Sequence, residues 1–289
     1  MERKDRIDVF ADTVVCCSRG NYTNKKGETV EIPTSSQDLS INDVRFYSSD
    51  IKKKINFDKL PRHKTEITVV NQDCLYAAKE LVDDGYTPVV INNASFKRPG
   101  GGVTGGSAAQ EENLCRRTNL YESIFRFNKD MAKEYGLPVE EEQYPLPVMN
   151  GAIYSPSIAV FKASEDKNYD YLDEPFMVDI ITIAALKNPA MKDGKMDKWS
   201  RDVTKNKIKM MLNLGIYWEN DAIVLGAFGC GAFANPPEEI AQIFKEVLDE
   251  PDYRDKFEKV VFAIIDDHNA HKEHNPRGNL VPFQEVFNQ

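Results

Sequence analysis

Two short apolar runs in this chain each pass straight into a glycine-rich turn and then into a helical pattern, and that pairing limits the folds open to it. The first run is Val89-Val90-Ile91, after Pro88. It leads through Asn92, Asn93, Ser95, Lys97, Arg98 and Pro99 to Gly100, Gly101 and Gly102, with Gly105 and Gly106 close behind. Gln110, Glu111 and Glu112 follow and open a helical pattern through Leu114, Leu120, Tyr121 and Ile124. The second run, DAIVL at residues 221–225, enters GAFGCGAFANPP at residues 226–237 and then the helical EEIAQIFKEVLDE. Continuous apolar runs of this length read as strands buried on both faces. Glycine after such a strand lets the backbone approach a ligand closely and take φ > 0. A helix N-terminus beyond it offers free N–H groups to a phosphate. One junction alone is weak, because glycine-rich loops match phosphate motifs by chance; two in one chain are stronger. The first junction contains no GxxxxGKS, so the P-loop template does not apply to it.

Other segments fit the same architecture. Residues 65–70 (TEITVV) and 257–265 (FEKVVFAII) read as further strands, 176–185 (FMVDIITIAA) as a buried one, and GAIYSP with Ala159-Val160-Phe161 as a strand pair. Helical patterns cover residues 1–20, the stretch after Asp73, and residues 201–218. Residues 21–33 read as a hairpin turning at Lys26-Gly27. Residues 34–64, with their SSQDLS and KKK runs, read as an exposed polar layer in which Lys52, Lys53 and Lys54 form a solvated face. Strands alternating with helices imply an α/β fold with a mixed, largely parallel sheet covered on both faces and ligand loops at the carboxyl ends of its strands. There is no internal repeat and no clear linker, which points to one structural unit.

Composition excludes several classes. A net charge of −9, from 37 basic and 46 acidic residues, argues against gripping nucleic acid through a general basic surface. No stretch approaches the ~20 apolar residues of a membrane span, and MERKDRIDVFADT lacks a signal-peptide core. Five scattered cysteines without a CxxC pair favour a reducing, cytosolic or nuclear setting. There is no HExxH, and the segment holding Asp266, Asp267, His268, His271 and His274 reads as a polar loop rather than a metal site. Asp73 is well placed as an N-cap. Glu111 and Glu112 fit two readings: first-turn acids favoured by the helix dipole, or a crowded pair whose pKa values are pushed apart for acid chemistry. A buried strand, a glycine cradle and paired acids together suggest a site for a phosphate-bearing sugar.

Gly100-Gly101-Gly102, seven residues, then Gln110-Glu111-Glu112 resembles the GGG-x(6–8)-QEE signature of poly(ADP-ribose) glycohydrolases. Ile91-Asn92-Asn93-Ala94-Ser95 with Pro99, and the GAIYSP segment, resemble the microbial branch. The resemblance implies a macrodomain-like three-layer α/β/α core over residues 65–289, with residues 1–64 as an accessory segment packed on it. It implies that Glu112, the last Glu of the signature, is the general acid and then the base that activates water, with Glu111 bonding the ribose and Gln110 in the same site. Gly100, Gly101 and Gly102, with Gly229, Cys230, Gly231 and Ala232 of the second junction, are then expected to bind diphosphate and ribose through backbone N–H groups. Phe233 would pack on the distal ribose, Asn92 would contact ribose and Asp73 would hold the adenine amino group. The implied ligands are ADP-ribose, its polymer cut from chain ends, and ADP-ribosylated proteins. The implied protein is a monomer with no cofactor, no metal and no membrane or sequence-specific nucleic-acid partner. Two alternatives stay open: a hydrolase of mono-ADP-ribosylated protein, and a macrodomain that binds ADP-ribose without cutting it. Gln110-Glu111-Glu112 argues against the second. Asn93 and Phe96 depart from the family pattern beside the glycines.

Overall fold

The structure, a computed structural model, describes residues 1–33 and 43–288, so the SSQDLS part of the expected polar layer lies outside the described residues. The chain forms two compact units. The first holds Met1–Phe46, Ala94–Pro147 and Ile153–Thr182; the second holds Tyr47–Asn93, Val148–Ala152 and Ile183–Gln289. The division expected at residue 64 is not a boundary of either unit, because the N-terminal helix belongs with the first glycine junction.

In the first unit, α1 (Arg3–Arg19) stops at Gly20, whose φ of 75° lets its amide reach back to the carbonyls of Cys16 and Cys17. The hairpin β1 (Asn21–Thr23) and β2 (Thr29–Glu31) follows, then β3 (Arg45–Tyr47). After the glycine junction come α3 (Gln110–Arg117), α4 (Leu120–Ile124) and α5 (Lys129–Glu134), then β6 (Ala152–Lys162) and β7 (Tyr171–Ile183). The strands lie in the order β3-β6-β7. A connection as short as that between β6 and β7, closed by Ala163 N–H on the Asp170 carbonyl (2.8 Å), makes the two antiparallel. The expected pair of strands at residues 151–161 is a single strand. Pro156 does not end it, because Ser157 absorbs the bend at φ 50° and its amide donates to Asp179 Oδ1 (2.8 Å). Phe10 of α1 packs edge-on against Tyr121 at 5.7 Å and lies beside Phe125 and Tyr135. Lys162 of β6 buries its ammonium on Asp12 (2.7 Å) and Thr13 (2.9 Å) of the same helix. The first helix therefore packs one face, through Phe10, Thr13, Cys16 and Cys17, onto this unit.

Among the carboxylates of this unit, Glu122 is pushed upward. Burial pushes Glu122 up to about 7 from 4.5, against the opposing pull of Arg126 and a hydrogen bond from Asn119. The folded protein thus holds a proton that the unfolded chain has lost between these two values, and stability falls as pH rises through that window. Glu122→Gln removes the penalty. Urea unfolding should show the variant gaining up to about 3 kcal/mol on wild type between about pH 4.5 and pH 8. A wild-type-minus-variant difference that stays flat with pH would refute this.

In the second unit, β4 (Glu66–Val70), α2 (Cys74–Asp83) and β5 (Pro88–Asn93) come first. The hairpin β8 (Met191–Lys192) and β9 (Lys195–Met196), α6 (Lys198–Tyr217), β10 (Ala222–Leu225), α7 (Pro237–Leu248), β11 (Lys259–Ala263) and α8 (Leu280–Phe287) follow. The strands lie in the order β5-β10-β11-β4 and all run parallel, with Val224 opposite Val90 and Val261, and Phe262 opposite Val69. Every residue of β10 is buried, which requires cover on both faces. Phe244 of α7 and Phe283 of α8 meet Phe262 of β11, each at 5.2 Å. The expected strand at 65–70 is present as an edge strand with only Val69 buried, the expected buried strands at 89–91 and 221–225 are present, and with antiparallel pairing in the first unit the strands are mixed, as in the expected α/β fold. The hairpin β8–β9 falls in a stretch that reads only as polar. Because the four strands are parallel, β5, β10 and β4 deliver Asn93, Gly226 and the approach to Asp73 at the same end of this unit.

Candidate active site

Side chains in the first turn of a helix lean back past its N-terminus. Glu111 and Glu112 of α3 therefore turn toward the glycine loop that precedes them, and both are buried, at 3% and 7% exposure. Their settings differ. Glu111 accepts the Ser95 amide at Oε2 (2.7 Å) and the Gly100 amide at Oε1 (3.1 Å). Glu112 accepts the Gly102 amide at Oε1 (2.7 Å), while its buried Oε2 has no hydrogen-bond partner. One carboxylate is held at both oxygens; the other is anchored by one oxygen and open at the second.

The three glycines make this seating possible. Gly101 sits at φ 55°, and a Cβ there would stand 2.5 Å from Glu112 Oε1 and 3.0 Å from Glu111 Oε2. A Cβ on Gly102 would overlap Ser107 Oγ, and one on Gly100 would come 2.8 Å from the Phe125 ring. The expectation that these three N–H groups bind diphosphate is corrected. Gly100 and Gly102 donate to the two glutamates, and Gly101 donates to the Arg98 carbonyl (3.3 Å). The loop is a seat for the acids.

The rest of α3 fixes that seat. Arg116 is fully buried and spans from the Arg6 carbonyl of α1 (3.0 Å) to the Ser107 carbonyl of the loop (2.5 Å). Thr13 donates to the Arg116 carbonyl (2.5 Å), and the Arg3 guanidinium rests on the Gly105 carbonyl. Arg117 donates to the Lys162 carbonyl of β6 (3.2 Å), and Thr118 bridges to Val160. Burial and then Glu111 and Glu112 raise the Cys115 thiol well above its usual range, so it stays neutral beside the acids. Sequence reasoning did not single out Arg116 or the first turn of α1. The adjacent Arg116-Arg117 at a helix C-terminus was the one available signal.

In the second unit, Asn235 organises the 226–237 loop. Its side-chain amide donates to the carbonyls of Leu186 (2.7 Å), Gly229 (3.1 Å) and Phe233 (3.3 Å), and its own N–H closes on Gly229 (3.1 Å). Ala234 N–H closes on Gly231 (3.1 Å). These closing bonds leave out the N–H groups of Gly231 and Ala232, and Ala232 is exposed with Phe233 half-buried beside it. Cys230 is a correction. Its thiol is fully buried and raised by that burial, its N–H donates to Ala227 (3.0 Å), and its carbonyl accepts from His274 (2.8 Å) and Asn275 (3.2 Å). It fastens the loop and presents no polar atom to a ligand. The signal for Asn235 in the sequence is its place before Pro-Pro at a helix start, which marks a turn residue.

The remaining candidates sit as follows. Asp73 is the N-cap of α2, accepting the amides of Leu75 (3.0 Å) and Tyr76 (3.2 Å). Asn92 is fully enclosed at the end of β5, and Gln110 is half-buried at the start of α3. Asn93, one of the departures, lies so near Gly226 that a Cβ there would stand 3.1 Å from its Nδ2. Among the described residues no group of three His, Cys, Asp or Glu side chains is placed to hold a metal ion.

An α/β chain with a pair of buried helix-start acids seated on a glycine loop is of the macrodomain-like hydrolase class. The family model for the microbial-type PARG catalytic domain matches residues 11–163, more than half of the chain, and the chain belongs to that family. Poly(ADP-ribose) glycohydrolase from Thermomonospora curvata is similar at 26% identity and a TM-score of 0.79, with 98% of this chain and 99% of that one covered. The same enzyme bound to the inhibitor ADP-HPD matches at 0.78. The Deinococcus radiodurans enzyme in complex with ADP-ribose matches at 0.68 and 25% identity, over 90% of this chain and 99% of that one. No curated protein matches the sequence.

Proposed function

We propose that this chain hydrolyses poly(ADP-ribose), cutting the ribose–ribose O-glycosidic bond and releasing ADP-ribose, with Glu112 as general acid. Cleavage of such a bond passes through an oxocarbenium-like transition state, and the leaving oxygen has to receive a proton. The observation that carries the assignment is the asymmetry of the two acids. Glu111 uses both oxygens to hold the loop. Glu112 keeps one oxygen on Gly102 and has a buried second oxygen free to carry a proton. That oxygen gives its proton to the departing ribose and then takes one from the attacking water.

The second loop has a different task. The N–H groups of Gly231 and Ala232 stand near its exposed apex, and α7 begins directly beyond it, so the loop suits a diphosphate. Phe233 beside them supplies an apolar face for a ribose. The complexes of the bacterial relatives with ADP-ribose and ADP-HPD support a terminal ADP-ribose as the unit bound.

The test is incubation of the protein with auto-modified poly(ADP-ribose) polymerase and analysis of the products by mass spectrometry. Free ADP-ribose is expected, with oligomers absent if cutting proceeds from chain ends. Binding of ADP-ribose by calorimetry without any release would make the chain a reader and overturn the proposal.

A further inference from the structure

The segment at residues 187–199 carries a feature that the acid site does not use. Lys187, Lys192, Lys195 and Lys198 are all exposed, against only Asp193 and Asp197, in a chain whose net charge is −9. Elsewhere in the same unit Lys52, Lys79, Lys205, Lys209 and Lys259 each rest on a carboxylate. Among the described residues none of the four lysines here does. Lys192 and Lys195 stand directly opposite each other across the hairpin β8–β9. Like charges in that position repel, and an anion between them relieves the repulsion. Two large apolar side chains of the same segment are also open: Trp199 is 53% exposed and Met191 49%.

The hairpin is built and anchored. Asp193 and Gly194 take φ values of 52° and 77°, as a two-residue turn requires. Asp197 caps α6 through Ser200 N–H (2.8 Å), Ser200 Oγ accepts the Ala190 amide (3.0 Å), and Asp197 N–H donates to the Ala190 carbonyl (2.8 Å). Its base is tied to the glycine loop of the same unit. Asn235 donates to the Leu186 carbonyl (2.7 Å), and Asn188 N–H donates to the Phe233 carbonyl (2.8 Å).

We propose that residues 187–199 form a second binding site for the polyanionic substrate, taking a neighbouring ADP-ribose unit by phosphate contacts from Lys192 and Lys195 and by stacking of its adenine on Trp199. The inference rests on the polymer reading above. Each repeat of that polymer carries two phosphate charges and one purine, which matches paired cations and an open indole within one segment. Stacking on an aromatic face and neutralisation by lysine are the two general means of holding single-stranded polyanions.

The test uses a Glu112→Gln background, so that the polymer survives the measurement. Trp199→Ala, and separately Lys192→Ser with Lys195→Ser, are titrated with size-fractionated poly(ADP-ribose) and with free ADP-ribose. Affinity for long chains should fall about tenfold with the tryptophan change. The double lysine change should lower the slope of log Kd against log salt by about 1.4. Affinity for free ADP-ribose should not change. Unaltered polymer affinity, or an equal loss for polymer and free ADP-ribose, would overturn the proposal. Failure of wild type to release ADP-ribose, with the chain-length-dependent loss intact, would remove the hydrolase reading and leave this site standing.

Discussion

Glu112→Gln is expected to slow release of ADP-ribose by about 10²- to 10⁴-fold while leaving folding and ADP-ribose affinity nearly unchanged. The geometry makes the substitution a clean one. The amide oxygen of glutamine can keep the hydrogen bond from Gly102 N–H, and its NH₂ then occupies the place of the open Oε2, where no donor faces it. What is lost is the ability to give and recover a proton. Glu111→Gln should behave differently. Both oxygens of Glu111 accept backbone N–H groups, from Ser95 and Gly100, so an NH₂ in either place confronts a donor. A buried donor left facing a donor costs about 1–3 kcal/mol, so this variant should lose stability together with activity. Single-turnover rates, calorimetry with ADP-ribose and thermal unfolding on both variants separate the roles. A Glu112→Gln protein retaining more than a tenth of the wild-type rate would remove Glu112 as the acid.

The parts of this molecule that sequence revealed are those written in local pattern. The runs at residues 89–91 and 221–225 are continuous and apolar because their strands are buried on both faces, and the glycine junctions follow them directly. The acids were legible because Glu111 and Glu112 lie a fixed distance after three glycines. What the glycines do was not legible. Their N–H groups could equally have faced a ligand, and only the fold shows those of Gly100 and Gly102 turned onto the carboxylates. The bracing of the loop by α1 was hidden for another reason. Arg116 contacts the carbonyls of Arg6 and Ser107, and backbone acceptors leave no mark in a residue pattern. Asp73 shows the converse case: the capping role read from its position is the one the structure gives it.

Gly101→Ala carries the second large effect, and it tests whether the glycine run is a seat or merely a hinge. The φ of 55° at Gly101 makes any other residue strained, at roughly 1–2 kcal/mol. The added methyl carbon would also stand 2.5 Å from Glu112 Oε1, so the carboxylate has to leave its bond with Gly102 N–H or the loop has to lift. Displacing a catalytic group by about 1 Å is worth about 10²-fold in rate, and a loss of that size is expected in kcat with ADP-ribose affinity changed far less. Gly27→Ala supplies the control. Its φ of 81° imposes comparable strain in the β1–β2 turn, but nothing lies within 4 Å of its added carbon. It should lower stability by a similar amount and leave kcat alone. If both variants lose stability and both keep their activity, the close approach at Gly101 does not position Glu112 and the loop is only a hinge. If Gly101→Ala alone loses kcat, the glycine run is the part of the sequence that sets where the acid stands.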